Sequence, residues 1–199
     1  MSDYYNEHYR EYFESTFFVD PSSFLTPLSE RLAQGATVLD IGCGSGRDLL
    51  WLKKKGFQPT GFEYAPNLAE IARQHSGCPV LEGDFSTFDF SQLRFDALLL
   101  VGALVHVERT RIKPILSKIC KALSGEGYVY LTLKEGQGQQ HADDGRIFTL
   151  WPQDDLEKIF TELNLTILDI SKQVSKIRKS DVWLGYLMKM KRYEIDSER

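Results

Sequence analysis

The stretch VLDIGCGSGRDLLWL, residues 38–52, runs from an apolar strand pattern through alternating glycines into a helical pattern. Gly42, Gly44 and Gly46 stand at that junction, where the backbone can turn tightly and approach a ligand without side-chain obstruction. Such turns often cradle phosphate, and Asp40, two residues ahead, would be a poor neighbour for one. The dinucleotide fingerprint G-x-G-x-x-G/A also asks for a small residue where this chain has Arg47, and its third glycine comes one position early at Gly46. The loop therefore fits NAD poorly. It suits a ligand that carries positive charge and no phosphate.

On either side, short apolar runs alternate with amphipathic stretches, the pattern of a parallel sheet with crossover helices. Strands are expected at 36–41, 58–63, 78–82, 95–101 and 126–134, with two more near 165–173 and 182–190. FDALLLV is continuously apolar, as a central strand covered on both faces should be. A helix is expected over 109–123, with Ile112, Ile115, Leu116, Ile119 and Leu123 on one face and SGEG as its stop. EGQGQQHADDGRIF reads as a polar loop. Near the start, Asp20 can cap a helix whose first turn holds Pro21. Ahead of it, YYNEHYREYFESTFF is crowded with rings that must cover something.

At 199 residues the chain is expected to form one domain. Its 42% apolar and 26% charged composition, with no apolar run near the roughly 18 residues of a membrane span, predicts a soluble protein without a membrane partner. The first residues lack a basic start followed by an apolar core, so export is not expected. Cys43, Cys78 and Cys120 show no close pairing, which fits a reducing cytoplasm and neither a disulfide framework nor a CxxC metal site. A net charge of −4 and pI near 5.6 argue against a dedicated nucleic-acid binder. Lys53, Lys54 and Lys55 close a helix and favour its dipole, and the basic residues at 172–179 and 189–192 read as a solvated face.

S-adenosylmethionine has the required character, a sulfonium and an α-ammonium without phosphate, and Asp40 would welcome it. Glu63 ends the second strand, where an acid can accept both ribose hydroxyls, each bond to a charged acceptor being worth about 1.5–3 kcal/mol. In LEGDF, Asp84 can accept from the adenine amino group and Phe85 can lie against the ring. Each has a plainer alternative: Asp40 accepting amides within the turn, Glu63 as a surface acid, Phe85 as a core aromatic.

At these residues the chain resembles the class I S-adenosylmethionine-dependent methyltransferases. VLDIGCGSG, GFEYAP, LEGDF, FDALLLVGALVHV and ALSGEGYVYLTLKEG match that family's motifs in order over residues 36–136. More narrowly, ESTFFVDPSSFLTPL, LKEG, DGRIFTLW and WLGYL look like a group of small bacterial methyltransferases. The resemblance implies a Rossmann-like α/β fold: a seven-stranded, mostly parallel sheet with an antiparallel last strand and helices on both faces. It divides the chain into an N-terminal helical cap (1–35), a cofactor core (36–136) and C-terminal strands with a substrate-side loop (137–199). It implies S-adenosyl-L-methionine as cofactor, S-adenosyl-L-homocysteine as product, and cofactor contacts at Asp40, Gly42, Cys43, Gly44, Gly46 and Arg47. Further contacts fall at Glu63, Tyr64 and Ala65, at Gly83, Asp84 and Phe85, and at Val101, Gly102 and Ala103 beside the methionine end.

His106, just past the fourth strand, is suited to removing an acceptor proton with an ordinary pKa near 6.5, or is a packed structural group. Lys134 and Glu135 end the fifth strand toward the same mouth, with Arg146 and His141 in the loop beyond. Tyr5, Tyr9 and Tyr12 are candidates for a lid that excludes water, or for simple helix packing, and Trp183 for the acceptor wall. The substrate residues are thus Tyr5, Tyr9, Glu135, Arg146 and Trp183, with His106 catalytic. His141, Asp143 and Asp144 have no recognised ligand spacing, so no metal is expected. Where amino-directed nucleic-acid enzymes of this fold carry Asn/Asp-Pro-Pro-aromatic, this chain reads VGAL. The expected acceptor is a small molecule with an ionisable nucleophile. The alternatives are a tRNA or protein acceptor, a non-catalytic cofactor-binding module and an NAD-dependent reductase.

Overall fold

The computed structural model describes residues 4–176 and 178–191. Its main sheet has seven strands: β1 (Thr37–Ile41), β2 (Gln58–Glu63), β3 (Val80–Glu82), β4 (Phe95–Val101), β5 (Leu123–Lys134), β8 (Leu165–Val174) and β9 (Val182–Met190). Between β5 and β8 a small hairpin pairs β6 (Gln139–His141) with β7 (Ile147–Thr149). The sheet order is β3-β2-β1-β4-β5-β9-β8, with β9 antiparallel to both neighbours and the other pairings parallel. This is the architecture expected from the sequence.

Helices cover both faces because the inner strands are apolar on both. Leu39, Ile41, Leu98, Leu100, Val129 and Leu131 share one core with Ile112, Ile115, Leu116 and Ile119 of α6 (Arg109–Ile119) and with Leu156 and Phe160 of α7 (Gln153–Glu162). The alternate residues Val38, Ala97, Leu99 and Tyr130 pack on the other side against Leu25 and Leu28 of α3 (Ser22–Ser29) and Leu52 of α4 (Arg47–Lys54). Two short helices, α1 (Tyr4–Glu7) and α2 (Tyr9–Thr16), precede these, and α5 (Pro66–Ser76) follows β2. Pro21 is the N-cap of α3 and not part of its first turn, and Asp20, one residue ahead, accepts the Ser22 backbone N–H at 3.0 Å.

Two local expectations change, and one strand pairing is irregular. Helix α6 ends at Ile119, and β5 begins at Leu123, so SGEG belongs to the strand. The β4–β5 register shifts between Phe95 and Ala97, and Gly127 allows close approach there, since a Cβ would lie 2.7 Å from the Asp96 carbonyl. The polar stretch after β5 forms the β6–β7 hairpin, turned by ADDG with Gly145 at φ +82°. The basic residues make specific contacts: Lys53 caps α5 through the Ser76 and Gly77 carbonyls, Lys172 pairs with Glu135, and Lys189 pairs with Glu126. Arg192 lies outside the described residues. Among the described residues no helix is long and apolar enough to cross a membrane.

Gly46 has a packing role. It precedes α4 at φ +82°, and a Cβ there would lie 2.9 Å from the Ala72 Cα and 3.0 Å from its carbonyl oxygen. Close packing of α4 on α5 thus requires glycine. Gly46→Ala is expected to cost about 1–3 kcal/mol, lowering the thermal midpoint by several degrees. An unchanged melting curve would show that α4 can move away freely.

Candidate active site

After β1 the chain turns at Gly42 (φ +65°), whose Cβ would meet the Ala103 methyl at 2.9 Å. The Gly42 and Cys43 amides donate to the Phe62 carbonyl at 2.7 and 3.2 Å, tying the loop to β2. Glu63 completes the tie. Its Oε2 accepts from the Gly44 amide at 2.8 Å, and its Oε1 accepts from the Tyr64 and Ala65 amides, each at 2.9 Å. The bracing role that the sequence offered Asp40 therefore belongs to Glu63. Burial pushes the Glu63 carboxyl up and the three amides pull against it, leaving it raised on balance. Tyr64 and Ala65 contribute through their backbone.

Asp40 is 2% exposed, and its Oδ2 is buried without a hydrogen-bond partner. Burial, then the charges of Asp48 and Glu63, push its carboxyl well above the ordinary range, with Arg47 opposing. Arg47 is largely engaged by Asp48, through bonds of 2.6 and 3.0 Å. Beneath the glycine loop the structure thus gathers three carboxylates and one guanidinium. An added cation would relieve that imbalance, so this donor set fits a sulfonium-bearing cofactor and disfavours a pyrophosphate.

A cavity of 480 Å³ opens above the loop. Its floor includes Gly42, Cys43, Val101 and Gly102, and the Gly102 amide is fixed by the Thr132 hydroxyl at 2.9 Å. Trp183 stands beside Gly102, its ring 3.4 Å from where a Cβ would be. Tyr4, Tyr5 and Tyr12 form the N-terminal wall, and the Tyr12 ring lies 3.0 Å from a Cβ at Gly44. Arg146 and Phe148 of the hairpin region face them, the guanidinium stacking 4.5 Å from the Tyr4 ring.

Lys134 and Asp181, 3% and 6% exposed, form an ion pair of 2.7 Å in the same wall. Gln140 bridges them, accepting from Lys134 at 3.0 Å and donating to Asp181 at 3.2 Å, while the ammonium lies 3.7 Å from the Phe148 ring. Burial pushes Asp181 up, but its bonds from Lys134 and Gln140 hold it below the usual carboxylate range. Sequence reading missed Gln140, Phe148 and Asp181, which reach the site through a hairpin that it read as loop and through a strand pairing that it could not register.

Several expected site residues lie outside the cavity or are engaged by other partners. The helix breaks at His8 (φ −105°, ψ 29°), so Tyr9 leaves the face shared by Tyr5 and Tyr12 and bonds outward to Arg10 at 2.9 Å. Glu135 pairs with Lys172 at 2.6 Å and faces a separate groove with Gly136 and Pro152. Phe85 is 6% exposed within the main core, so the stacking expected of it is corrected to core packing. Asp84 caps its own turn, accepting from the Ser86 amide at 2.8 Å, and Gly83 donates to the Glu63 carbonyl at 3.0 Å. His106 does not border the cavity. Its Nε2 faces the Tyr5 hydroxyl at 2.8 Å and its Nδ1 the Ile147 carbonyl at 2.6 Å, and burial lowers its pKa. Among the described residues no three His, Cys, Asp or Glu side chains converge as a metal site.

Residues 38–127 match the profile of a family described as "Methyltransferase domain". A probable tRNA methyltransferase 9B of Bos taurus is 30% identical over 73% of this chain, which spans 33% of that relative's length. A TehB-like S-adenosylmethionine-dependent methyltransferase from Corynebacterium glutamicum superposes with a TM-score of 0.71 at 20% identity, covering 96% of this chain and 100% of that one. A Burkholderia thailandensis 1,6-didemethyltoxoflavin-N1-methyltransferase, solved with that compound and S-adenosylhomocysteine, gives 0.70 at 20% identity over 94% and 84%. These structural likenesses establish the fold.

Proposed function

We propose, from the match of residues 38–127 to the methyltransferase-domain profile, which spans under half of the chain, and from the class I S-adenosylmethionine-dependent methyltransferase fold, that this protein methylates a small-molecule nucleophile. The observation that carries this reading is the orphaned, buried Asp40 oxygen in a net-acidic cluster under the glycine loop. When bound, S-adenosylmethionine supplies a methyl carbon already joined to a cationic leaving group. The protein is left chiefly to align the reactants, which in favourable systems accounts for about 7–11 kcal/mol of a barrier.

In this reading Asp40 answers the positive end of the cofactor. Glu63 keeps one lone pair, on Oε2, for a ribose hydroxyl, Asp84 has an oxygen left for the adenine amino group, and Val101 and Gly102 line the methionine end. Tyr12 covers Gly44, so a nucleoside reaching Glu63 must shift or pass beneath it. The three divisions 1–35, 36–136 and 137–199 then act as one domain, with the first helices roofing the site. A small acceptor is favoured because the cavity is walled by rings and its cations are engaged, Arg47, Lys134, Arg146 and Arg178 by carboxylates and Lys176 by the Asp20 carbonyl. A net charge of −4 disfavours nucleic acid. The second reading, a tRNA acceptor, rests on the Bos taurus relative. Free, buried Cys43, Cys78 and Cys120 suit a cytoplasmic setting.

Calorimetric titration with S-adenosylmethionine and S-adenosylhomocysteine, with NADH as control, in two buffers of different ionisation enthalpy, tests the site. Both sulfur nucleosides are expected to bind and NADH is not. The raised Asp40 carboxyl holds a proton in the free protein below its shifted pKa, and a nearby sulfonium pulls that pKa down. The sulfonium form should therefore release more protons than the neutral thioether form, an excess that fades above the free protein's Asp40 pKa. Failure of both to bind folded, ligand-free protein would remove the cofactor assignment. Binding without S-adenosylhomocysteine production from phenol, thiophenol, heteroaromatic N–H compounds or tRNA would favour a non-catalytic module.

A further inference from the structure

We propose that the Tyr5 hydroxyl, and not the His106 ring, meets the methyl acceptor and relays its proton to His106. The inference rests on the reading that the 480 Å³ cavity holds that acceptor. Tyr5 borders the cavity and His106 does not, yet the phenol lies 2.8 Å from His106 Nε2. The direction of that bond follows from the other side of the ring. Nδ1 faces the Ile147 carbonyl at 2.6 Å, and a carbonyl only accepts, so the neutral ring carries its proton on Nδ1 and presents a bare Nε2 to the Tyr5 O–H.

The Tyr5 oxygen also accepts from Arg146 Nη1 at 3.3 Å and keeps a lone pair for a third partner. Arg146 is held in place by Asp144, through Nη2 at 2.7 Å and Nε at 3.1 Å. The groups facing His106 are Tyr5 from α1, Arg146 and Asp144 from the hairpin, and Lys134 from β5. Burial and the two cations disfavour an imidazolium, the Ile147 carbonyl and Asp144 favour it, and the balance lowers the ring's pKa. The ring is therefore neutral and able to receive at ordinary pH.

In the step, the acceptor's O–H or N–H bond breaks and its proton passes to Tyr5 Oη as the Tyr5 proton passes to His106 Nε2. The electron pair left on the acceptor atom forms the new bond to the methyl carbon, and the pair of the breaking carbon–sulfur bond stays on sulfur. Tyr5 ends neutral and His106 ends as imidazolium. Tyr5 is the catalytic residue of the relay, and His106 and Arg146 are positioning residues that act through it.

The full chain, labelled with 15N-histidine and saturated with S-adenosylhomocysteine, decides the hydrogen bond by NMR. His106 is expected as the Nδ1–H tautomer, and Tyr5→Phe is expected to move both its Nε2 resonance and its titration midpoint while S-adenosylhomocysteine affinity stays within about threefold. Turnover of two probes then separates relay from packing. Phenol, with a pKa of about 10, needs a base, whereas thiophenol is ionised near neutral pH. Tyr5→Phe and His106→Asn should each lower kcat on phenol by about 10²–10⁴-fold with little change in KM, no further loss in the double variant, and thiophenol spared. The phenol rate of the unaltered protein should fall with pH through the His106 midpoint. An Nε2–H tautomer, an unmoved titration in Tyr5→Phe, or equal losses on both probes would overturn the relay. If the protein instead fails to bind S-adenosylhomocysteine, the cofactor reading falls, while the titration of the free protein still decides the Tyr5–His106 bond.

Discussion

Glu63→Ala is expected to cost both the cofactor site and much of the fold's stability. The substitution strands the Gly44, Tyr64 and Ala65 amides, which the two carboxylate oxygens now satisfy. At about 1–3 kcal/mol for each buried donor left unmade, the Gly44 and Ala65 amides alone should cost about 2–6 kcal/mol. S-adenosylhomocysteine affinity should fall by about 100-fold or more through the lost ribose acceptor and the slackened loop. Glu63→Gln separates the two effects. An amide oxygen can still serve Tyr64 and Ala65, but the NH2 group would face the Gly44 N–H, so this variant should fold and bind poorly. Denaturant unfolding and calorimetry read the two quantities. A Glu63→Ala protein with the original unfolding midpoint would show that the glycine loop holds itself.

The second large effect is expected at Asp181→Ala, which leaves the Lys134 ammonium buried without its carboxylate. Removing one partner of a buried pair costs about 3–5 kcal/mol, whereas replacing both with apolar groups of similar volume is often neutral. Thermal unfolding should therefore drop by about 10 °C in Asp181→Ala and recover in a Lys134→Met, Asp181→Leu double variant. The acid side carries its own sign. The Asp181 pKa is lowered in the folded protein, so its contribution is present above the unfolded value of about 3.9 and is lost as pH falls through the lower folded value. The double variant should lose that part of the acid destabilisation. Equal stability of Asp181→Ala and the original chain would show that water reaches Lys134.

The strands β1 and β4 were legible because parallel strands buried on both faces leave largely apolar runs, and the glycine loop because its backbone needs are written as residue types. The start of β5 was not, since SGEG reads equally as a helix stop and as the irregular entry to a strand. Glu135 shows a signal that was available. Side chains alternate along a strand, so once Thr132 and Lys134 face the cavity, Glu135 must face away. Tyr9 shows one that was not, because the break at His8 sits beside a tertiary contact, Asn67 of α5 donating two hydrogen bonds to Asn6. The Lys134–Asp181 pair likewise depends on which strand lies beside β5, a fact of topology that no local pattern records.

The roof over the cavity also dictates when this site can exist. Tyr4 meets Asp144 across 140 positions of chain, and Tyr5 meets Arg146 across 141. Contacts so distant wait for the chain between them to be placed, and they close late in folding. On a ribosome adding about 5–20 residues each second, the glycine loop and its acids are made well before the hairpin that completes their cover. A growing chain therefore makes the two halves of this cover seconds apart, and chemistry that depends on a dry cavity begins only when Tyr4 and Tyr5 have found residues made some 140 positions later.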